Sequence, residues 1–341
     1  MSIRSVEQLE QTLSEPTDYV VEALRKLEGD IVVLGAGGKI GPSLTIMAKR
    51  ASDAAGVARR VIGVSLFSLE KEAEAKLRSA GVETVSCDLM DPDQLAQLPD
   101  APNVMYMAGM KFGTTGQQAR TWAANAYLPG PISRKYRHSR IAVFSTGNVY
   151  GLTPVAGGGS VETDELSPTG EYAMSALGRE RVFEHFSREL GAPMSIIRLN
   201  YACDLRYGVI VDIAQKVFAG EPVDVAMGYF NIIWQGDASA MSLSAFAHAS
   251  SPPFVLNVAG SEILSVRETA ERFGELMGKK AIIAGVESPD AFLSNAAKAF
   301  GLFGKPRVSA EQLIPWVAEW VKSGGESLQK PTHFEARDGK Y

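Results

Sequence analysis

Asp30-Ile31-Val32-Val33-Leu34-Gly35-Ala36-Gly37-Gly38-Lys39-Ile40-Gly41 is the stretch from which the rest of the chain can be read. Ile31 to Leu34 is short, apolar and rich in β-branched residues, the pattern of a strand buried on both faces. Glycines follow at 35, 38 and 41, and residues 40–50 have helical character. In such a strand–turn–helix unit the first glycine permits the tight turn. The second lets backbone approach a ligand with no Cβ between them, and the third lets helix pack closely on strand. The helix start offers unpaired N–H groups and the positive end of its dipole. The unit is a phosphate cradle, and its spacing predicts a bound nicotinamide dinucleotide held by Gly35, Gly37, Gly38, Lys39, Ile40 and Gly41.

Outward from the cradle, strands and helices alternate. Strands are expected at 60–64, 83–87, 103–107, 140–144 and 194–198, with helices at 68–79, 115–133 and 171–190. Repeated βα units with apolar strands predict an α/β fold, a doubly wound parallel sheet of Rossmann type. Residues 1–29 read as an N-terminal helical extension, interrupted at Pro16, and 30–200 as the dinucleotide-binding domain. After residue 200 the rhythm loosens. Helices near 209–219, 238–248, 265–277, 289–299 and 309–322, with short strands such as Phe254–Val258, predict a smaller C-terminal α/β substrate lobe over 201–322, discontinuous with the first domain. Residues 323–341 are polar and aperiodic, and a loosely ordered tail is expected.

Composition narrows the class. The 341 residues are 45% hydrophobic and 21% charged, as in ordinary globular proteins. A net charge of -5 gives no electrostatic footprint for nucleic acid. No apolar run is long enough to span a membrane and no secretory leader is evident, so a cytoplasmic protein without membrane partners is expected. Cys87 and Cys203 are too few and too far apart for a disulfide framework. His138, His185, His248 and His333 lack metal-ligand spacing, and no metal is predicted.

An acidic residue that holds the adenosine ribose belongs at the end of the second strand. Val64-Ser65-Leu66-Phe67-Ser68 has none. NADP is therefore favoured over NAD, with Ser65 at the ribose and Lys39 as counter-charge.

Further segments carry a resemblance: Cys87-Asp88-Leu89, Met107-Ala108-Gly109-Met110-Lys111, Asn125, Ser145-Thr146-Gly147-Asn148-Val149-Tyr150-Gly151, and Tyr172 on the following helix. Together with the glycine turn they resemble the extended short-chain dehydrogenases/reductases of the NAD-dependent epimerase/dehydratase group, from about residue 30 to 322. The lobe segments Gly220-Glu221-Pro222-Val223, Asp237-Ala238 and Asn257-Val258-Ala259-Gly260 are similar in kind. The resemblance implies that Asp88 and Leu89 meet adenine, and that Ala108, Gly109, Lys111 and Asn125 lie along the cofactor. It places Thr146 and Tyr172 at the catalytic Ser/Thr and Tyr positions. It also implies a homodimer through the helices bearing Asn125 and Tyr172.

The family's catalytic motif is Y-x-x-x-K, and here the lysine position is Ala176. A free Tyr hydroxyl has a pKa of about 10, and a nearby cation is what makes it useful at neutral pH. Arg179 and Lys111 are the available substitutes. Three readings stay open: Tyr172 and Thr146 work with a replacement cation, a different base drives an epimerisation or elimination, or the chain binds dinucleotide without turnover, as a sensor or structural partner. The family's Arg-x-x-Asn is also altered, to Arg198-Leu199-Asn200-Tyr201, so a free sugar, sugar acid or polyol is at least as well matched as a nucleotide-linked sugar. Asn148, Asn200, Arg206, Tyr207 and Trp234 are the expected pocket residues.

Overall fold

The computed structural model describes residues 3–111 and 116–339. Its centre is a seven-stranded parallel sheet of β1 (Ile31–Leu34), β2 (Val61–Ser65), β3 (Glu83–Ser86), β4 (Asn103–Tyr106), β5 (Arg140–Thr146), β6 (Met194–Leu199) and β7 (Phe254–Val258), in the order β7-β6-β5-β4-β1-β2-β3. Alternate residues of β1 point to opposite faces. Ile31 and Val33 pack with Leu44, Met47 and Ala48 on one side; Val32 and Leu34 pack with Ile132 and Phe183 on the other. A strand buried on both faces with helices over each is the doubly wound architecture expected. Val33 pairs with Gly63 of β2 and Met105 of β4, so strand order reverses at β1. The crevice at the carboxyl ends of β1 and β4 is the site such a reversal opens.

Three expectations change. Phe254–Val258, expected within the lobe, pairs in parallel with Ser195–Leu199 and forms the edge of the main sheet. Residues 289–299 are not one helix. Asp290–Ala291 pairs antiparallel with Thr153–Pro154, and the helix begins only at Ala297. Cross-strand hydrogen bonding there overrides helical spacing. The tail, expected to be loosely ordered, is packed: Thr332 and Phe334 are 2% and 1% exposed, and Phe334 joins the lobe core. A single apolar anchor in a polar segment is too weak a periodic signal to detect. Helix is observed from Gln118 to Lys135 with a π-helical turn at Ala123–Tyr127; residue 115 lies outside the described residues.

The N-terminal extension is two helices, Val6–Leu13 and Asp18–Lys26, capped by Ser5 and Thr17 on either side of Pro16. Leu9 and Leu13 join the lobe core while Val20 and Leu24 join the sheet core, so the extension ties the two together. The lobe is built on the helices Val209–Ala219, Val266–Met277 and Ala310–Lys322. Cys87 and Cys203 are buried free thiols. Among the described residues, no helix is long and apolar enough to cross a membrane.

Candidate active site

A cavity of about 350 Å³ begins at the glycine turn and runs between sheet and lobe. Gly35, Gly38, Lys39, Ile40 and Gly41 form its floor, and Gly109, Lys111, Thr146, Asn148, Tyr172 and Asn200 line it. Gly35 has φ +91°, and a side chain there would strike the backbone of Ala108 at 2.8 Å. Gly38 is different. A Cβ there would meet only Gly35 O, at 3.4 Å, so protein packing does not demand glycine. Its bareness fits close approach of a ligand to the turn, and the helix Gly41–Ala54 points its N-terminus there. These residues fit a dinucleotide.

Thr146 ends β5 and Tyr172 lies in the first turn of the helix Gly170–Leu190. Both side chains line the cavity wall, near enough for the Thr146 hydroxyl to act on the Tyr172 hydroxyl. Burial raises the Tyr172 hydroxyl above its ordinary pKa, against the opposing pull of the Arg179 charge and the Thr146 hydrogen bond. Ala176 is buried beside Val149 and Tyr150 and offers no charge. Arg179, one turn further on, does reach the cavity wall. Its Nη2 donates to Asn125 Oδ1 at 2.6 Å and its Nη1 to Phe144 O at 2.8 Å, while its Nε has no acceptor among the described residues. Lys111 lies 5.8 Å from the Tyr172 ring centre, and burial lowers its pKa to about 8. Both substitute cations therefore stand near the tyrosine.

Asn125 does not line the cavity. Its amide is occupied by Met110 N, Met110 O, Ser175 Oγ and Arg179, so it fixes the β4 loop and the arginine rather than a ligand. Asp88 caps Met90 N and Leu89 packs beside the sheet core, both outside the cavity wall at the edge of β3. Two expected pocket residues are elsewhere. Arg206 is held by Asp204 at 2.8 Å and Glu10 at 2.7 Å, an ion-pair cluster that binds the lobe to the N-terminal helix. Trp234 is 1% exposed, packed edge-on to Trp316 in the lobe core. Asn148, Asn200 and Tyr207 do line the cavity.

The absence of an acid after β2 is corrected by tertiary structure. Ser65 Oγ donates to Glu70 Oε2 at 2.6 Å, and any side chain at Gly37 would collide with that carboxylate. Residues 66–69 turn back so that Glu70 stands beside the glycine turn. No local spacing rule links positions 65 and 70. Lys39, expected as a phosphate counter-charge, turns toward the lobe instead: its Nζ lies 3.3 Å from the Tyr207 ring centre and 3.4 Å from Ala202 O. Burial lowers its pKa to about 7. Cavity residues unrecognised in the sequence include Tyr201, whose φ of +43° is costly for an aromatic residue, and Lys330 and Thr332 from the tail.

The model of the NAD dependent epimerase/dehydratase family matches residues 31–203. Similar solved structures include dTDP-glucose 4,6-dehydratase from Bacillus anthracis in complex with NAD, at TM-score 0.73 and 16% identity, covering 87% of this chain and 97% of that one. UDP-glucuronic acid 4-epimerase from Bacillus cereus aligns at TM-score 0.70 and 18% identity, covering 86% and 99%. UDP-glucose 4-epimerase from Thermotoga maritima aligns at 0.68 and 18%, also covering 86% and 99%. A search of curated proteins finds no match.

Proposed function

Because the chain belongs to the NAD-dependent epimerase/dehydratase family, we propose that it is an enzyme that binds NAD in the glycine cradle and acts at a hydroxyl-bearing carbon of a sugar, sugar acid or polyol. The observation that carries this reading is that Tyr172 and Thr146 line the same open cavity, which starts at the cradle. That space is not filled by side chains, which favours turnover over a purely structural dinucleotide site.

Gly38, Ile40 and the helix N-terminus would hold the pyrophosphate. Glu70, hydrogen-bonded beside the turn, is suited to accept from the ribose hydroxyls and to repel a 2′-phosphate. It therefore favours NAD, where Ser65 alone favoured NADP. Bound there, the nicotinamide supplies a hydride acceptor and donor. The chain's own residues handle the proton. Tyr172 holds it on its buried hydroxyl, and Thr146 orients that hydroxyl. When the proton moves to or from substrate, the phenolate form faces Arg179, whose charge supports it as a lysine at 176 would. Asn148 and Asn200 provide neutral hydrogen-bonding groups suited to substrate hydroxyls. A homodimer fits the same reading, since Trp122, Tyr127 and Met174 leave 38%, 62% and 46% of their surface exposed on the two packed helices.

The test is a fluorescence titration with NADH, then turnover across a panel of sugars and sugar acids. Tyr172→Phe should still bind NADH while losing roughly 10²–10⁴-fold in rate. An unchanged rate removes Tyr172 as acid or base, and no NADH binding by the parent protein removes the functional reading altogether.

A further inference from the structure

The C-terminal tail lines the cavities on both sides of the phosphate cradle. The catalytic cavity and a second groove, along the outer side of the glycine turn, share three lining residues: Gly38, Lys39 and Lys330. Two belong to the turn. The third comes from 290 residues further along the chain, in a segment outside the family-matched region of 31–203.

Lys330 is held between fixed points. Leu328 N donates to Arg206 O at 3.2 Å. Thr332 N and Oγ1 both donate to Asp212 Oδ2, at 2.7 and 2.6 Å. Phe334 is then buried in the lobe core, where Lys216 stacks over its ring. The backbone on either side of Lys330 is therefore anchored, and little ordering remains to be done when the side chain meets a ligand. Lys330 itself is exposed and has no carboxylate partner among the described residues. Lys39, the turn's own cation, is committed to Tyr207 and Ala202 on the lobe. The cradle thus has a bare glycine floor, a helix N-terminus and, in Lys330, an exposed cation lining both of its sides.

Resting on the NAD reading above, we propose that the tail is a clasp over the dinucleotide and that Lys330 is a phosphate-binding residue for its pyrophosphate. The clasp closes over the turn from the lobe side, so the cofactor is gripped between the sheet domain and the chain's C-terminal segment. Its charge supplements the backbone N–H groups that the glycine turn already presents.

The experiment is calorimetric titration of the full-length protein with ADP-ribose, which carries the pyrophosphate and lacks the nicotinamide. Lys330→Ala should weaken ADP-ribose binding about tenfold, the loss expected for one hydrogen bond to a charged group. Lys330→Arg should bind within about threefold of the parent, and Lys330→Glu should bind more weakly than the alanine variant, because it sets like charges together. The ligand-free melting temperature should not move, because Lys330 is exposed. An alanine variant within about twofold of the parent, or an arginine variant no better than alanine, overturns the clasp while leaving the NAD reading intact. A parent protein that binds neither NADH nor ADP-ribose overturns both.

Discussion

On the proposed reading, Arg179 supplies the charge that Ala176 cannot. Alanine at 176 removes the lysine, but the next turn of the same helix carries a guanidinium that is 7% exposed and fixed by Asn125 and Phe144. Arg179→Ala should lower the rate about a hundredfold at neutral pH. The sign of the pH effect follows from Tyr172. Burial already raises its pKa, and the arginine opposes that rise. Without the arginine the pKa rises further, so the limb of kcat/KM that depends on ionised Tyr172 moves to higher pH. Arg179→Lys should restore part of the shift, and a pH–rate profile of the three proteins decides it. The proposed cofactor preference rests on Glu70. Glu70→Ala should weaken NAD about tenfold, through loss of hydrogen bonds to a charged acceptor, and should improve NADP by removing a repulsion. Parallel titrations with both cofactors measure the change in preference.

At the scale of elements, the site depends on how the helix Gly170–Leu190 is locked to the sheet. Glu180 and Arg198 pair at 2.8 Å with side chains 3% and 6% exposed. Ser145, next to Thr146, donates to the same carboxylate, and Arg198 Nη1 donates to Tyr150 OH at 2.8 Å. Truncating one partner of such a pair leaves a buried charge uncompensated. Glu180→Ala should cost about 3–5 kcal/mol of stability, read from urea denaturation. Most of these elements are legible in the sequence because strand burial and helix caps are local properties. β7 is the exception in assignment. Phe254–Val258 reads clearly as a strand, but its partner β6 lies some sixty residues earlier, and pairing at that separation leaves no local trace.

Across the whole molecule, the N-terminal helices and the C-terminal tail bracket the family-matched region and both reach the lobe. The exposed aromatic and methionine side chains on the helices bearing Asn125 and Tyr172 are suited to a second copy of the chain. Tyr127→Glu should convert a homodimer to monomer in sedimentation velocity while leaving the melting of the monomer largely unchanged, since Tyr127 is 62% exposed.

The sequence by itself determined the parallel sheet and the glycine turn, because each rests on short-range spacing: β-branched runs and glycines three apart; Thr146 and Tyr172 were named through the family resemblance. It also located the missing lysine. Only tertiary structure decided what stands around them. Glu70 returns to the turn through a loop, Arg179 is fixed at the cavity wall by Asn125 and the Phe144 carbonyl of β5, and Lys330 arrives from the far end of the chain. Arg206 and Trp234, polar and aromatic candidates for the pocket, were instead drawn into an ion-pair cluster and a core. Charge and aromaticity say what a residue can do; its neighbours, brought together from distant segments by burial, decide whether it does so at the site.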